Sequence, residues 1–132
     1  MIYNKNSIWF HLHAGFELPN KFLYFKYKEQ QDIFRMSTDG FSCPISRCYT
    51  FDNFTKILDK CGLYVERYLC DITQFEIQRL PLIKKAVESN LISEESRNFL
   101  KNLKFNKSGI PFFEDKIAGL NSFYNIRKKN DI

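Results

Sequence analysis

The sequence predicts an α/β chain that builds part of a doubly wound sheet. Three observations lead there. One segment, "FDNFTKILDKCG", has clean helical spacing with a start and a stop signal. It runs directly into "LYVERYL", whose side chains alternate like those of a strand. A further strand, "LNSFYNIRK", closes the chain after more helices. The order helix, loop, helix, strand, helices, strand is α/β in character, but two or three strands are few for a complete doubly wound sheet. With 132 residues the chain reads as a single segment, 1–132, of one-domain size.

Each element has its own reason. "MIY" is short and apolar and suits the end of a strand, and Asn4 to Ser7 is turn-like. The Ser7 hydroxyl can accept from free amides of a first helical turn, and Ile8, Trp9, Leu12 and Phe16 follow at helical spacing. Pro19 interrupts that helix or starts the next. Phe22, Phe25 and Phe34 mark a second, aromatic-rich helical segment reaching about Met36. "STDG" signals a turn, and a loop runs on through Pro44 to Thr50. Thr50 caps the clearest helix. Asp52 suits its positive first turn, Phe51, Phe54, Ile57, Leu58 and Cys61 share a face, and Gly62 stops it. Residues 73 to 89 read as a helix broken or started at Pro81. Ser93 caps "EESRNFLKNL", and "FNKSGIPFFEDK" reads as loop.

Composition narrows the function classes. Apolar residues make up 44% and aromatics 17%, with fourteen Phe, so a packed core is expected and disorder is excluded. The formal charge is +5, but basic and acidic residues are interspersed and only "IRKKN" is a dense basic run. That spread reads as solvated surface and disfavours a nucleic-acid partner. No apolar run reaches the roughly 18 residues needed to span a bilayer, so no membrane partner is expected. "MIYNKNSIWF" lacks the layout of a signal peptide, which points to the cytoplasm and to cysteines kept as thiols.

In order, "MIYNKNSIWFHL", "STDGFSCPISRCYTFDNFTKILDKCGLYVE" and "FLKNLKFNKSGIPFFEDKIAGLNSFYNIRK" resemble the C-terminal part of a class I S-adenosylmethionine-dependent methyltransferase. The resemblance covers nearly the whole chain. It implies a partial Rossmann-like methyltransferase fold in which "MIYN" ends the fifth strand and "FTKILDKCGLYVERY" is the next helix and strand. "SFYNIRK" would be the antiparallel last strand that inserts into the sheet. The family holds its cofactor with a glycine-rich turn after the first strand and an acidic residue after the second. Here the five glycines, at 15, 40, 62, 109 and 119, are isolated, and no Gly-x-Gly brings backbone close to a ligand. The N-terminal cofactor-binding half is therefore expected to be absent. S-adenosylmethionine, the cofactor of the full-length family, is not expected to bind this chain alone. A complementary N-terminal half, or self-association over uncovered sheet edge and helix faces, is the expected partner.

Methyl transfer from a sulfonium needs alignment of donor and acceptor and exclusion of water, with a base where the acceptor carries a proton of high pKa. In this fold the acceptor sits above the carboxyl ends of the strands. The resemblance places "YNKNS" and "STDGFSCPISRCY" around that pocket, with Tyr3, Asn4, Ser7, Thr38, Arg47 and Tyr49 as candidate substrate-binding residues. Asp39 is a candidate to orient or deprotonate the acceptor; alternatively it is a turn-former bonded to its own backbone. His11 is a candidate base, or else a buried helix residue, and His13 two positions on faces another way. Arg47 suits a carboxylate or phosphate, or is plain surface. Tyr3, Tyr49 and Trp9 either line the pocket or fill the core.

The cysteines add no metal or redox signal. Cys43, Cys48, Cys61 and Cys70 form no Cys-x-x-Cys pair, and thiols so placed pack as small apolar groups. Two further function classes stay open beside the methyltransferase segment: a non-catalytic interaction module derived from the same fold, and a small basic RNA-binding domain.

Overall fold

The computed structural model describes residues 1–43 and 46–131. Pro44, which the sequence places in a loop, lies outside them.

Strand β1 (Ile2–Asn4) leads to a helix started by Ser7, whose hydroxyl accepts from the Phe10 amide at 3.1 Å. That helix, Trp9–Glu17, is wound as a π-helix, and every residue from Phe10 to Phe16 is buried, both histidines included. A helix with no polar face belongs inside a fold. On one side Ile8, Leu12 and Phe16 pack with Ala86, Ile92, Phe99 and Leu100. On the other, Phe10 and Ala14 pack with Ile33, Phe34, Cys48 and Leu120. The π-helix is thus the central rod between two core clusters.

The aromatic-rich segment departs from expectation. It forms two single-turn helices, α1 (Leu18–Lys21) and α2 (Leu23–Lys26), separated at Phe22 by an extended backbone. Helix α3 (Gln30–Asp39) then starts after the extended Glu29 and passes Met36. Phe22, Tyr24, Phe25 and Tyr27 follow one another too closely to share one face of a single long helix. In α3, Ile33, Phe34 and Met36 do share a buried face. Pro19 sits in the first turn of α1, where its missing amide leaves no bond unmade.

Strand β2 (Cys48–Tyr49), unforeseen in the loop, pairs parallel with β1. Helix α4 (Phe51–Lys60) follows. The Thr50 hydroxyl accepts from the Asn53 amide at 3.1 Å, and Gly62 ends the helix at φ +72°. Strand β3 (Leu63–Asp71) comes next. Pro81 divides the following helical stretch into α5 (Gln74–Ile77), a 3-10 turn (Leu80–Leu82) and α6 (Ile83–Val87). Helix α7 (Glu94–Lys101) is capped by the Ser93 hydroxyl, which accepts from the Ser96 amide at 3.1 Å.

The segment read as loop holds strands instead. β4 (Lys104–Phe105), β5 (Pro111–Phe113) and β6 (Lys116–Ile117) form a small antiparallel sheet in that order. Glu114 and Asp115 join β5 to β6 with φ of +49° and +70°. A two-residue hairpin turn needs positive φ at both central positions and normally recruits Asn or Gly, so Glu-Asp gave no signal.

Strand β7 (Asn121–Lys128) lies between β1 and β3, antiparallel to both, and gives the main sheet the order β2-β1-β7-β3. Just before it, Gly119 passes so close to β3 that an added Cβ would fall 1.9 Å from the Asp71 carbonyl oxygen. The buried Glu76 carboxylate ties these parts together. Its Oε2 accepts from the Trp9 amide at 3.0 Å. Its Oε1 accepts from the Thr73 amide at 3.1 Å, the Thr73 hydroxyl at 2.9 Å and the Leu120 amide at 3.0 Å. The chain is mixed α/β, and among its described residues no helix is long and apolar enough to cross a membrane.

Candidate functional site

Successive residues of β1 point to opposite faces of the sheet, which divides the expected site residues into two groups. On one face the Tyr3 ring meets Phe34 of α3 edge-on at 5.6 Å, and its hydroxyl donates to Asp39 Oδ1 at 2.9 Å. Asp39 is exposed at the end of α3. The Thr38 hydroxyl lies 3.3 Å from Asp39 Oδ2 and 3.3 Å from Ser46 Oγ. A hydrogen bond from Ser46, helped by those from Tyr3 and Thr38, holds the Asp39 carboxyl below its usual value against a small opposing effect of burial. Burial, then bonding to Asp39, raises Tyr3, which stays a protonated donor. An ionised carboxylate with a lowered pKa is a good acceptor and orienting charge but a weak base.

On the other face Asn4 is fully engaged. Its Nδ2 donates to the Gly119 and Asn6 carbonyls, each at 3.0 Å, and its Oδ1 accepts from the Asn6 amide at 3.1 Å. With the buried Ser7 cap, this amide shapes the turn out of β1. Beyond the carboxyl ends of β1 and β2 that turn borders a cleft of about 250 Å³. Asn6, Thr50, Asp52, Tyr68, Glu114 and Lys116 supply its polar walls. This is where open α/β sheets bind ligands, outside the carboxyl ends of parallel strands. Burial, then the neighbouring Cys70, whose Sγ lies 2.9 Å from the hydroxyl oxygen, raises the Tyr68 hydroxyl, so the phenol stays protonated.

The remaining candidates sit elsewhere. His11 Nδ1 lies 2.8 Å from Ser96 Oγ, and its ring stacks on Phe99 at 4.1 Å. Burial, helped by the Lys5 charge, lowers its pKa to about 3. It is a neutral core residue at physiological pH and belongs to a different neighbourhood from Asp39. His13 Nδ1 lies 2.5 Å from Glu17 Oε1, which also accepts from Arg79 Nε at 2.8 Å. Burial lowers His13; burial raises Glu17, but the bonds from His13 and Arg79 outweigh it and leave the carboxyl below its usual value. Arg47 is exposed. The Tyr49 ring packs on Phe54 at 5.5 Å. Trp9 packs on Phe75 at 4.5 Å and donates from Nε1 to Ser37 Oγ at 3.0 Å.

Cys48 is buried among apolar groups, and that burial pushes its thiol up to about 12. Among the described residues no three His, Cys, Asp or Glu side chains gather as a metal site.

Sequence reasoning missed Tyr68, Glu114 and Lys116. Asn6 stood in the quoted "YNKNS" and Ser46 in "STDGFSCPISRCY", so both were within reach. Tyr68 read only as a strand residue, and the β5–β6 turn that presents Glu114 and Lys116 had no signature. Comparison of the chain with family models, with curated proteins and with solved structures gives no match to any of them.

Proposed function

We propose that this chain forms the acceptor side of a class I S-adenosylmethionine-dependent methyl-transfer site, and that it acts with a separate cofactor-binding half. The carrying observation is the main sheet. Its closing strand inserts antiparallel between β1 and β3, the place the resemblance implies for the last strand of that fold. The cleft beyond the ends of β1 and β2 lies where such a fold holds the acceptor. Asn6, Thr50 and Tyr68 would bind and orient it. Asp39, ionised and held by Tyr3 and Ser46, stands on the other face of the sheet, outside this cleft. The cofactor's nucleotide cradle would come from the other half, since isolated glycines build none here. Cysteines kept as thiols suit a cytoplasmic setting.

Titration calorimetry tests the division of labour. The chain alone should show no heat with S-adenosylmethionine, and a micromolar affinity would overturn the missing-cradle argument. Co-expressed with a complementing half encoded upstream, it should support transfer of labelled methyl. Tyr68→Phe should then lower that rate by about ten- to a hundred-fold, in the range of one positioned polar group. An unchanged rate would remove Tyr68 from the site.

A further inference from the structure

Residues 21–28, "KFLYFKYK", turn their apolar side chains outward. Leu23 is 77% exposed and Tyr27 84%, and Phe22 and Tyr24 are more than half exposed. Phe41, 66% exposed on the loop after α3, joins them. Its ring lies 5.7 Å from Tyr24 and 6.3 Å from Phe25. Together Phe22, Tyr24, Phe25 and Phe41 border an open apolar hollow of about 520 Å³. Two separate stretches of chain thus build one exposed aromatic knob, a larger feature than scattered surface hydrophobes.

The charges around the knob indicate what covers it. Lys21, Lys26 and Lys28 are exposed and residues 21–28 contain no acid; Lys21 Nζ lies 3.9 Å from Glu17 Oε2, and the exposed Glu29 follows Lys28. Lys28 Nζ lies 4.6 Å above the Tyr24 ring, and Lys26 Nζ lies 5.6 Å from the Tyr27 ring. The ammonium groups of Lys26 and Lys28 therefore lie against tyrosine rings, and Leu23, just before Tyr24 in sequence, adds a largely exposed aliphatic side chain. Tyrosine favours the headgroup level of a bilayer, aliphatic and phenyl groups the acyl boundary just below, and lysine the phosphates. A single strand of nucleic acid would instead want flat rings in a charged groove, and Leu23 offers no stacking face. From this juxtaposition we propose that the knob formed by residues 21–28 and Phe41 docks this protein on an anionic lipid surface. The inference stands apart from the methyl-transfer reading, needs no cofactor half, and departs from the expectation of no membrane partner, which rested on spanning segments alone.

Vesicle co-sedimentation of the full chain at about 0.1 M salt tests it. Vesicles of equal phosphatidylglycerol and phosphatidylcholine should bind the protein, and pure phosphatidylcholine should bind it at least ten-fold more weakly. Each lysine near an anionic surface is worth roughly five-fold. Replacing Lys21, Lys26 and Lys28 together by Glu should therefore weaken binding by roughly a hundred-fold or more. Leu23→Asp should weaken it at least ten-fold, with an unchanged circular dichroism spectrum because the side chain is exposed. The charge reversal Lys56→Glu with Lys60→Glu on α4, a change of four units against six, should leave binding as it was. No vesicle binding, equal binding to neutral vesicles, or equal loss with the α4 variant would overturn the proposal. So would binding of single-stranded RNA, or a dimer in solution, that depends on these same residues while vesicles are ignored.

Discussion

Glu76 shows how much one side chain can hold. It is wholly buried, and each of its partners is a donor: three on Oε1 and one on Oε2. Burial raises its pKa, and bonds from the Leu120, Thr73 and Trp9 amides oppose that rise. A glutamine can keep the Oε1 set but must turn its amide N–H₂ toward the Trp9 amide. Glu76→Gln should therefore destabilise the protein by about 1–3 kcal/mol in urea unfolding, the cost of a buried donor left unpaired. His11 gives a pH signature of known sign. Its folded pKa is lowered to about 3 from an ordinary 6.5, so between those values the unfolded chain binds the extra proton. Its contribution to stability is fully present above pH 6.5 and drains away as the pH falls toward 3. In that window the loss is about 1.4 kcal/mol per pH unit, and His13 pulls the same way. Urea midpoints at pH 7 and pH 5 should show this slope, and His11→Gln should remove most of it.

At the scale of elements, what the sequence made legible was whatever local chemistry decides. Thr50 and Ser93 cap where expected, Gly62 stops α4, and β3 is a strand, but a bulge between Val65 and Arg67 breaks the alternation and leaves Leu69 exposed. What stayed hidden was decided by distant partners. β2 is two residues long and exists because β1 lies beside it. The π-helix differs from an ordinary helix only in its register, which no spacing of apolar residues announces. The sites divided in the same way. Tyr3 and Asp39 were both named from their segments, but 36 residues separate them and only the fold shows the hydrogen bond. The β5–β6 hairpin was hidden for a steric reason, since Glu114 and Asp115 hold a left-handed backbone that their types seldom adopt. Replacing both by glycine should relieve that cost and raise the unfolding midpoint, by about 1 kcal/mol or more in free energy. The same change deletes Glu114 from the cleft wall, so stability and ligand affinity should move in opposite directions.

At the scale of the molecule, two core clusters flank the π-helix, and the main sheet joins the two ends of the chain. β7 is one of the sheet's two inner strands, yet it is drawn from residues 121–128, and it holds β1, whose Ile2 pairs with Ser122. A polypeptide stopped after Leu120 should lose its sharp thermal transition in circular dichroism, although it keeps every helix from the π-helix to α7. Pairing segments so far apart requires closing a long loop before any contact repays it, and such folds form slowly. On the ribosome, β1 and β3 would wait as half-made edges until the closing strand has cleared the exit tunnel. That interval is when nascent chains of this protein would most need a chaperone.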